Sequence, residues 1–421
     1  MGLIKTSALN GIGTVIKLAC AILLNKILAI YVGPAGFAII GQTQNIVSIF
    51  SGIAGALGSQ GVVKLTAEKF DDPKEQHKIW KTSITLSIII SFIIGTILLI
   101  KSKYILELID VEITNNLTIY ILVIFLPIIS INNIILSILN GKKEIKLYVL
   151  CGIIGSILSL ALILILTIIY NIQGAILGLI IAPGLSILTN ILLVRKKDWF
   201  KYNFLIGGIH QKYIKELSEY GLMAVISTVA SSLTFILIRK QIERELGLEY
   251  AGYWQGSWKI SETYLMVLTS SLGIYYLPRI AEIGNNKDLK KEIKYIYGYF
   301  MPVVIISGLS IYILRDFIIK MLFTVEFMEM RQLFALQIFG DIIKIASWIL
   351  SYILVAKKFT KFFIFTEIIF SLSFYALVVF ALPIYGIQGV PLAYTINYIL
   401  YFICIAFYVK NYIFIKMLSD T

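Results

Sequence analysis

Residues 8–32 read ALNGIGTVIKLACAILLNKILAIYV. The run is long enough to cross a bilayer, which takes about 20 predominantly apolar residues, yet Lys17 sits near its middle. A charge at that depth costs roughly 2.5–3.5 kcal/mol on insertion scales. Lys259, Glu262, Asp341, Lys344 and Glu367 lie inside other apolar runs. Several ionisable groups buried in membrane segments imply a polar interior, and a polar interior implies that something polar passes through it.

The 421 residues are 58% hydrophobic, above the roughly 45–50% of soluble domains. The apolar runs are continuous rather than alternating, so helices and not a barrel carry them. The expected fold class is an all-α integral membrane protein with about 12 transmembrane helices. Their approximate limits are 8–32, 36–62, 82–100, 117–139, 148–170, 174–194, 218–238, 251–276, 295–314, 331–355, 362–382 and 387–409. No cleavable signal peptide is expected: the first run is of full span length and ends in the turn Gly33-Pro34-Ala35-Gly36. Cys20, Cys151 and Cys404 fall in apolar runs without metal spacing, as small core residues do.

Lys and Arg divide unevenly between the two sets of loops. The set holding both termini carries 25 and the other set 8. The richer set is therefore cytoplasmic, with both termini inside. This bias explains the net charge of +13 without a basic domain, and no nucleic-acid partner is expected.

The halves echo each other. Tyr170-Asn171-Ile172-Gln173-Gly174 and Tyr385-Gly386-Ile387-Gln388-Gly389 are 215 residues apart, as are Lys142-Lys143 and Lys357-Lys358; Ala67-Glu68 and Ala281-Glu282 are 214 apart. Each repeat holds six spans, an even number, so the repeats are parallel. Two six-helix lobes, 1–205 and 206–421, around a central cavity are expected, rocking between inward-open and outward-open states.

Span 1 places Asn10, Thr14, Lys17 and Ala21 on one face. Lys17 reads as a cavity-lining cation; the alternative is a lysine paired to a carboxylate for structure alone. Lys26 projects almost opposite and is expected to snorkel outward. In span 2, Gln42, Asn45 and Gly52 share a face, where sugar contact and interhelical hydrogen bonding stand as equal readings. Span 7 carries Ser227, Thr228, Ser231, Ser232 and Thr234 and ends on Arg239 and Lys240. Arg239 either faces a cavity mouth or anchors the interface. Trp254, Trp258 and Glu262 share a face of span 8, and Lys259 is placed to pair with Glu262 at i, i+3. Span 10 carries the stripe Gln337, Asp341, Lys344, Trp348, Tyr352. Asp341 and Lys344 either neutralise each other or serve separately, one a coupling cation and one an anion. Glu367, near the cytoplasmic end of span 11, is a candidate proton or sodium site.

No enzyme chemistry is present in the sequence and no cofactor is expected. His77 and His210 fall in cytoplasmic loops. Gly36 to Gly41 has P-loop spacing, but Gln42-Thr43 replaces Lys-Ser/Thr within a membrane helix.

Several segments carry a resemblance: Val15-Ile16-Lys17 through Lys26 to Gly33-Pro34-Ala35-Gly36, Trp254-Gln255-Gly256 with Ile260-Ser261-Glu262 and Tyr264-Leu265, and Tyr276-Leu277-Pro278. Further along stand Leu314-Arg315-Asp316-Phe317, Met330-Arg331 with Leu333-Phe334-Ala335, Gly340-Asp341 with Lys344, Ala356-Lys357 and Thr366-Glu367. In this order the chain resembles Wzx-type flippases of the multidrug/oligosaccharidyl-lipid/polysaccharide (MOP) exporter superfamily, and within them the branch serving lipid III, the undecaprenyl-linked unit of enterobacterial common antigen. The resemblance implies a V-shaped cavity between two six-helix lobes. It also implies transfer of an undecaprenyl-diphosphate-linked oligosaccharide, such as an O-antigen unit, from the inner to the outer leaflet of the bacterial cytoplasmic membrane. Its partners would be that glycan lipid, the bilayer, a polysaccharide polymerase and chain-length proteins. On this reading Lys17, Gln42, Asn45, Arg239, Trp258, Lys259, Gln337 and Lys344 bind diphosphate and sugar, while Glu262, Asp341 and Glu367 couple an ion or gate.

The rival is a cation-coupled multidrug exporter of the same superfamily. Lys17, Lys259 and Lys344 match or outnumber the deep acids, which favours an anionic substrate. A lipid II flippase would carry extra spans, and a non-transporting scaffold would lack mid-span charges.

Overall fold

A helix of 52 residues is too long for one crossing. At 1.5 Å per residue, Leu3–Ala54 (α1) would run about 78 Å against a hydrocarbon core of about 30 Å. The chain breaks it at Gly33, whose φ of 62° and ψ of −173° leave the helical region, with Pro34 following. Glycine adopts this geometry without a Cβ penalty, and Pro34 has no N–H to leave unsatisfied. The computed structural model describes residues 3–58, 60–109, 116–205, 207–357 and 359–419. Among these there is no β-strand.

The other helices follow in order: α2 Gln60–Glu68, α3 Pro73–Ile100, α4 Ser102–Ile109, α5 Asn116–Gly141, α6 Ile145–Val194, α7 Tyr202–Leu205, α8 Gln211–Leu246, α9 Leu248–Ser271, α10 Leu277–Glu282, α11 Asn286–Ile313, α12 Arg315–Leu322, α13 Phe334–Ala356, α14 Thr360–Tyr385 and α15 Gly389–Ser419. Eight helical segments among the described residues are long and apolar enough to span a membrane. Three of these, Gly11–Ala54, Ile145–Val194 and Thr360–Tyr412, are of double length, 44, 50 and 53 residues. Each contains a break, at Gly33, at Tyr170-Asn171 and at Gly386. With α9, 24 residues long but more polar, twelve span-length helices result.

The internal repeat extends to the backbone. Gly33 and Gly247 have φ of 62° and 99°, and Asn171 and Gly386 have φ of 49° and 55°. These pairs are 214 and 215 residues apart, the spacing of the sequence echoes. A 28-residue helix followed by an 8-residue helix occurs in each half, α3–α4 and α11–α12. Both long helices start on a side-chain cap: Asp72 accepts from the Glu75 N–H at 3.1 Å, and Asn285 from the Asp288 N–H at 2.7 Å. Lys143, at φ 58°, has its repeat counterpart in Lys358, outside the described residues.

The span limits need correction in places. α3 and α11 begin at Pro73 and Asn286, ahead of 82 and 295, because the polar cap and not the apolar run sets the start. Span 2 does not continue to 62. The helix ends at Ala54 and a 3₁₀ turn covers Ala56–Gly58. A Cβ on Gly58 would strike Ile134, so close approach to α5 selects glycine there. Span 8 passes into a π-helical turn over Leu272–Tyr276.

The chain forms two compact units, Met1–Ile236 and Leu237–Thr421. In the first, Ile79, Trp80, Ile134, Ile138, Tyr213 and Leu217 form a core. Residues 207–236 join it through a Thr85 hydroxyl donating to the Gly207 carbonyl at 2.9 Å and a His210 N–H donating to Thr82 at 3.0 Å. In the second, Tyr276, Ile345, Ile349, Ile353, Tyr401 and Ile405 pack together.

Candidate functional site

Asp341 lies on α13 and is 0% exposed. Gly340 beside it lets α15 close in: a Cβ there would fall 2.5–2.9 Å from the Tyr394 ring and Thr395 Oγ1. Tyr394 can therefore donate its hydroxyl to Asp341 Oδ1 at 2.7 Å. From α9, Ser261 and Tyr264, one turn apart, each donate to Oδ2 at 2.7 Å. The Gln337 amide adds a long 3.5 Å contact to Oδ1. Three short O–H donors to one carboxylate form the strong, charge-assisted class of hydrogen bond.

One turn on, Lys344 is 8% exposed. Its ammonium lies 5.0 Å from the ring centres of Trp258 and Trp348, 5.4 Å from Tyr398 and 5.7 Å from Tyr394. Each distance is within the roughly 6 Å reach of a cation–π contact. Among the described residues Asp341 and Lys344 form no direct ion pair.

Glu262 accepts from Trp258 Nε1 at 3.1 Å and from Lys259 Nζ at 2.8 Å. This is the i, i+3 pair expected from spacing, with side chains 23% (Lys259) and 48% (Glu262) exposed. Arg239, near the end of span 7, is held by its neighbours on α9. It is 3% exposed, donates to Gln255 Oε1 at 2.7 Å and lies 5.7 Å from the Trp254 ring. A guanidinium is weakly hydrated and stacks on indole, so burial against Trp254 is within its chemistry. The second unit thus sets Lys259, Lys344 and Arg239 against Glu262, Asp341 and Glu367.

In the first unit, Lys17 on α1 reaches across α6. Its ammonium lies 5.9 Å from the Tyr148 ring, and a Cβ on Gly152 would coincide with the end of the lysine side chain. Gly152 is the gap that admits the lysine. Among the described residues no carboxylate lies within ion-pair distance of Lys17. The Asn10 side chain, expected on the same face, lies outside the described set. Gln42 is buried and Asn45 half-buried on the second half of α1. Asn132 donates to Ser186 Oγ at 2.8 Å and accepts from Asn190 Nδ2 at 2.7 Å, which makes a neutral network between α5 and α6.

Sequence reasoning did not single out Tyr394 and Tyr398 and gave Ser261 and Tyr264 no role. The available signal was Tyr394, Tyr398 and Tyr401 at i, i+4, i+7 along α15, a tyrosine stripe in a segment read only as apolar.

A family model described as polysaccharide biosynthesis protein matches residues 3–284. The chain belongs to that family. The match covers Lys17 and the Trp258–Glu262 segment, while Asp341 and Lys344 lie beyond it. Among its relatives is the lipid III flippase of Escherichia coli (strain K12), 26% identical over 405 residues that cover 96% of this chain and 97% of the relative. The lipid III flippase of Shigella flexneri matches with the same identity and coverage.

Among solved structures, a multidrug resistance MATE family transporter of the MOP superfamily, inward-facing, superposes with a TM-score of 0.74 at 15% identity and covers 97% of this chain and 99% of its own. A MOP superfamily transporter from Pyrococcus furiosus Vc1 (DSM3638), described with a binding pocket of reverse polarity, gives 0.67 at 17% identity over 97% and 95%. The fold is that of the MOP superfamily, and the protein is a multi-pass membrane protein.

Proposed function

We propose that this protein is a flippase that carries an undecaprenyl-diphosphate-linked oligosaccharide from the cytoplasmic to the periplasmic leaflet of the bacterial inner membrane by alternating access, with both termini cytoplasmic and with 1–205 and 206–421 as its functional halves. The observation that carries this reading is Lys17, a mid-span ammonium whose described surroundings are Tyr148 and Gly152 with no carboxylate in reach. Such a charge is retained in a membrane helix when a partner arrives from outside the fold, and the diphosphate of a lipid-linked glycan is a dianionic partner. The two relatives named lipid III flippase, matched along nearly their whole length, support the same substrate class. Asn45 and the half-exposed Lys259–Glu262 pair offer hydrogen bonds to sugar hydroxyls. Asp341 and Glu367 stand as the ion-coupling groups. A polysaccharide polymerase and chain-length proteins would receive the product.

Cation export is the second reading, favoured by the aromatic and carboxylate character around Lys344. The superposed MATE transporters speak for the fold and leave the substrate open, and Lys17 has no task in cation export. The test is complementation of cells lacking their lipid III flippase, scored by surface enterobacterial common antigen. Lys17→Ala is expected to abolish rescue and Lys17→Arg to keep it; full rescue by both removes Lys17 from the mechanism.

A further inference from the structure

Four rings from three helices converge on one atom. Trp258 comes from α9, Trp348 from α13, and Tyr394 and Tyr398 from α15, and each ring centre lies 5.0–5.7 Å from Lys344 Nζ. The rings brace one another: Tyr394 meets Trp258 edge-on at 5.2 Å and Tyr398 at 4.8 Å. Their polar ends are held too, with Tyr394 donating to Asp341 and Trp258 to Glu262. The negative faces of several rings, backed by carboxylates, make a receptor for an alkylammonium ion. Here the alkylammonium is the protein's own, delivered by a four-carbon tether from within the unit.

We propose that Trp258, Trp348, Tyr394 and Tyr398 form an alkylammonium-binding cage, that Lys344 occupies it from inside, and that Lys344 is thereby a specificity residue that denies the cage to cationic substrates. Tethering gives the lysine a high effective concentration at the cage, so a free cation competes poorly. Deleting the ammonium leaves a ring-walled hole one turn from the Asp341 carboxylate, and both features then favour an incoming cation. The proposal does not depend on the identity of the lipid-linked substrate.

The test uses the full chain in nanodiscs, with propylammonium and tetramethylammonium chloride as probes, read by calorimetry and by quenching of tryptophan fluorescence. Propylammonium replaces what Lys344→Ala removes. Lys344→Ala is expected to bind it at least about tenfold more tightly than wild type, and Lys344→Arg to behave as wild type. Adding Trp258→Ala to Lys344→Ala is expected to weaken binding by about tenfold, the worth of one desolvated cation–π contact. A folded Lys344→Ala protein that does not bind overturns the proposal, as does equal binding by wild type or by the double variant. Should Lys344→Ala not fold alone, Lys344→Ala/Asp341→Asn removes both charges together and carries the same test. Should neither fold, purification in propylammonium decides: recovery of folded protein supports the cage, and failure to recover it overturns the cage.

Discussion

Lys17 and Lys344 are both ammonium groups inside membrane helices, and the molecule surrounds them differently. Lys344 has four aromatic ring centres within 5.7 Å of its ammonium. Lys17 has one ring at 5.9 Å and a glycine that leaves it room. The repeat sharpens the contrast. At the spacing of 215, Asp341 and Lys344 correspond to Leu126 and Ile129; at 214, Lys17 corresponds to Ser231 and Trp258 to Gln44. The two halves share the backbone breaks at Gly33/Gly247 and Asn171/Gly386, yet each cation is private to one half. Duplication explains the scaffold, and later divergence explains the chemistry. A cation whose cost of burial is offset inside the fold is structural first. One without internal compensation is free to meet a ligand.

The largest expected effect breaks the compensated side. Asp341→Ala strands the hydroxyls of Ser261, Tyr264 and Tyr394 and takes a counter-charge from Lys344. It should destabilise the protein by about 3–5 kcal/mol, the usual cost of breaking a buried charged network, read by thermal unfolding in detergent. Lys17→Ala in the same assay should shift stability by no more than about 0.5 kcal/mol, and equal losses from the two variants would erase the distinction. Next comes Gly340→Ala, which drives a methyl into the Tyr394 ring and should cost about 1–3 kcal/mol as overpacking. Gly152→Ala meets only the flexible end of Lys17. It should leave unfolding nearly unchanged while reducing surface-glycan rescue, because it displaces the ammonium. The smallest effects test the shared scaffold. Gly386→Val should cost about 1–2 kcal/mol at φ 55° and ψ −148°, whereas Asn171→Gly should stabilise by up to about 1 kcal/mol, since Asn171 at φ 49° and ψ −132° lies outside the left-handed helical region and bears strain that glycine would not.

Much of the fold was legible because membrane insertion acts on local composition. A continuous apolar run of about 20 residues has few alternatives to a helix, and the Gly33-Pro34 break and the repeat spacing are written in the residues themselves. Lys17, Asp341 and Lys344 were legible because charge in such a run is costly. Their partners were not. Spacing along α13 puts Asp341 and Lys344 on one face, but it cannot say that α9 and α15 bring Ser261, Tyr264 and Tyr394 to one and a ring of aromatics to the other. The partners of Arg239 were hidden for the same reason: the sequence left a cavity mouth and the membrane interface open, and only packing brings Trp254 and Gln255 to it. Gly152, silent in the sequence, and Gly340, quoted there without a packing role, decide which side chains fit where.

On the proposed function, Lys17 awaits a diphosphate and Lys344 does not. The direct measurement is the affinity of the full chain in nanodiscs for undecaprenyl diphosphate, with wild type, Lys17→Ala and Lys17→Arg side by side. A hydrogen bond to a charged group is worth about 1.5–3 kcal/mol, so Lys17→Ala should bind at least about tenfold more weakly, with Lys17→Arg close to wild type. Equal affinity for all three proteins would mean that Lys17 does not hold the diphosphate.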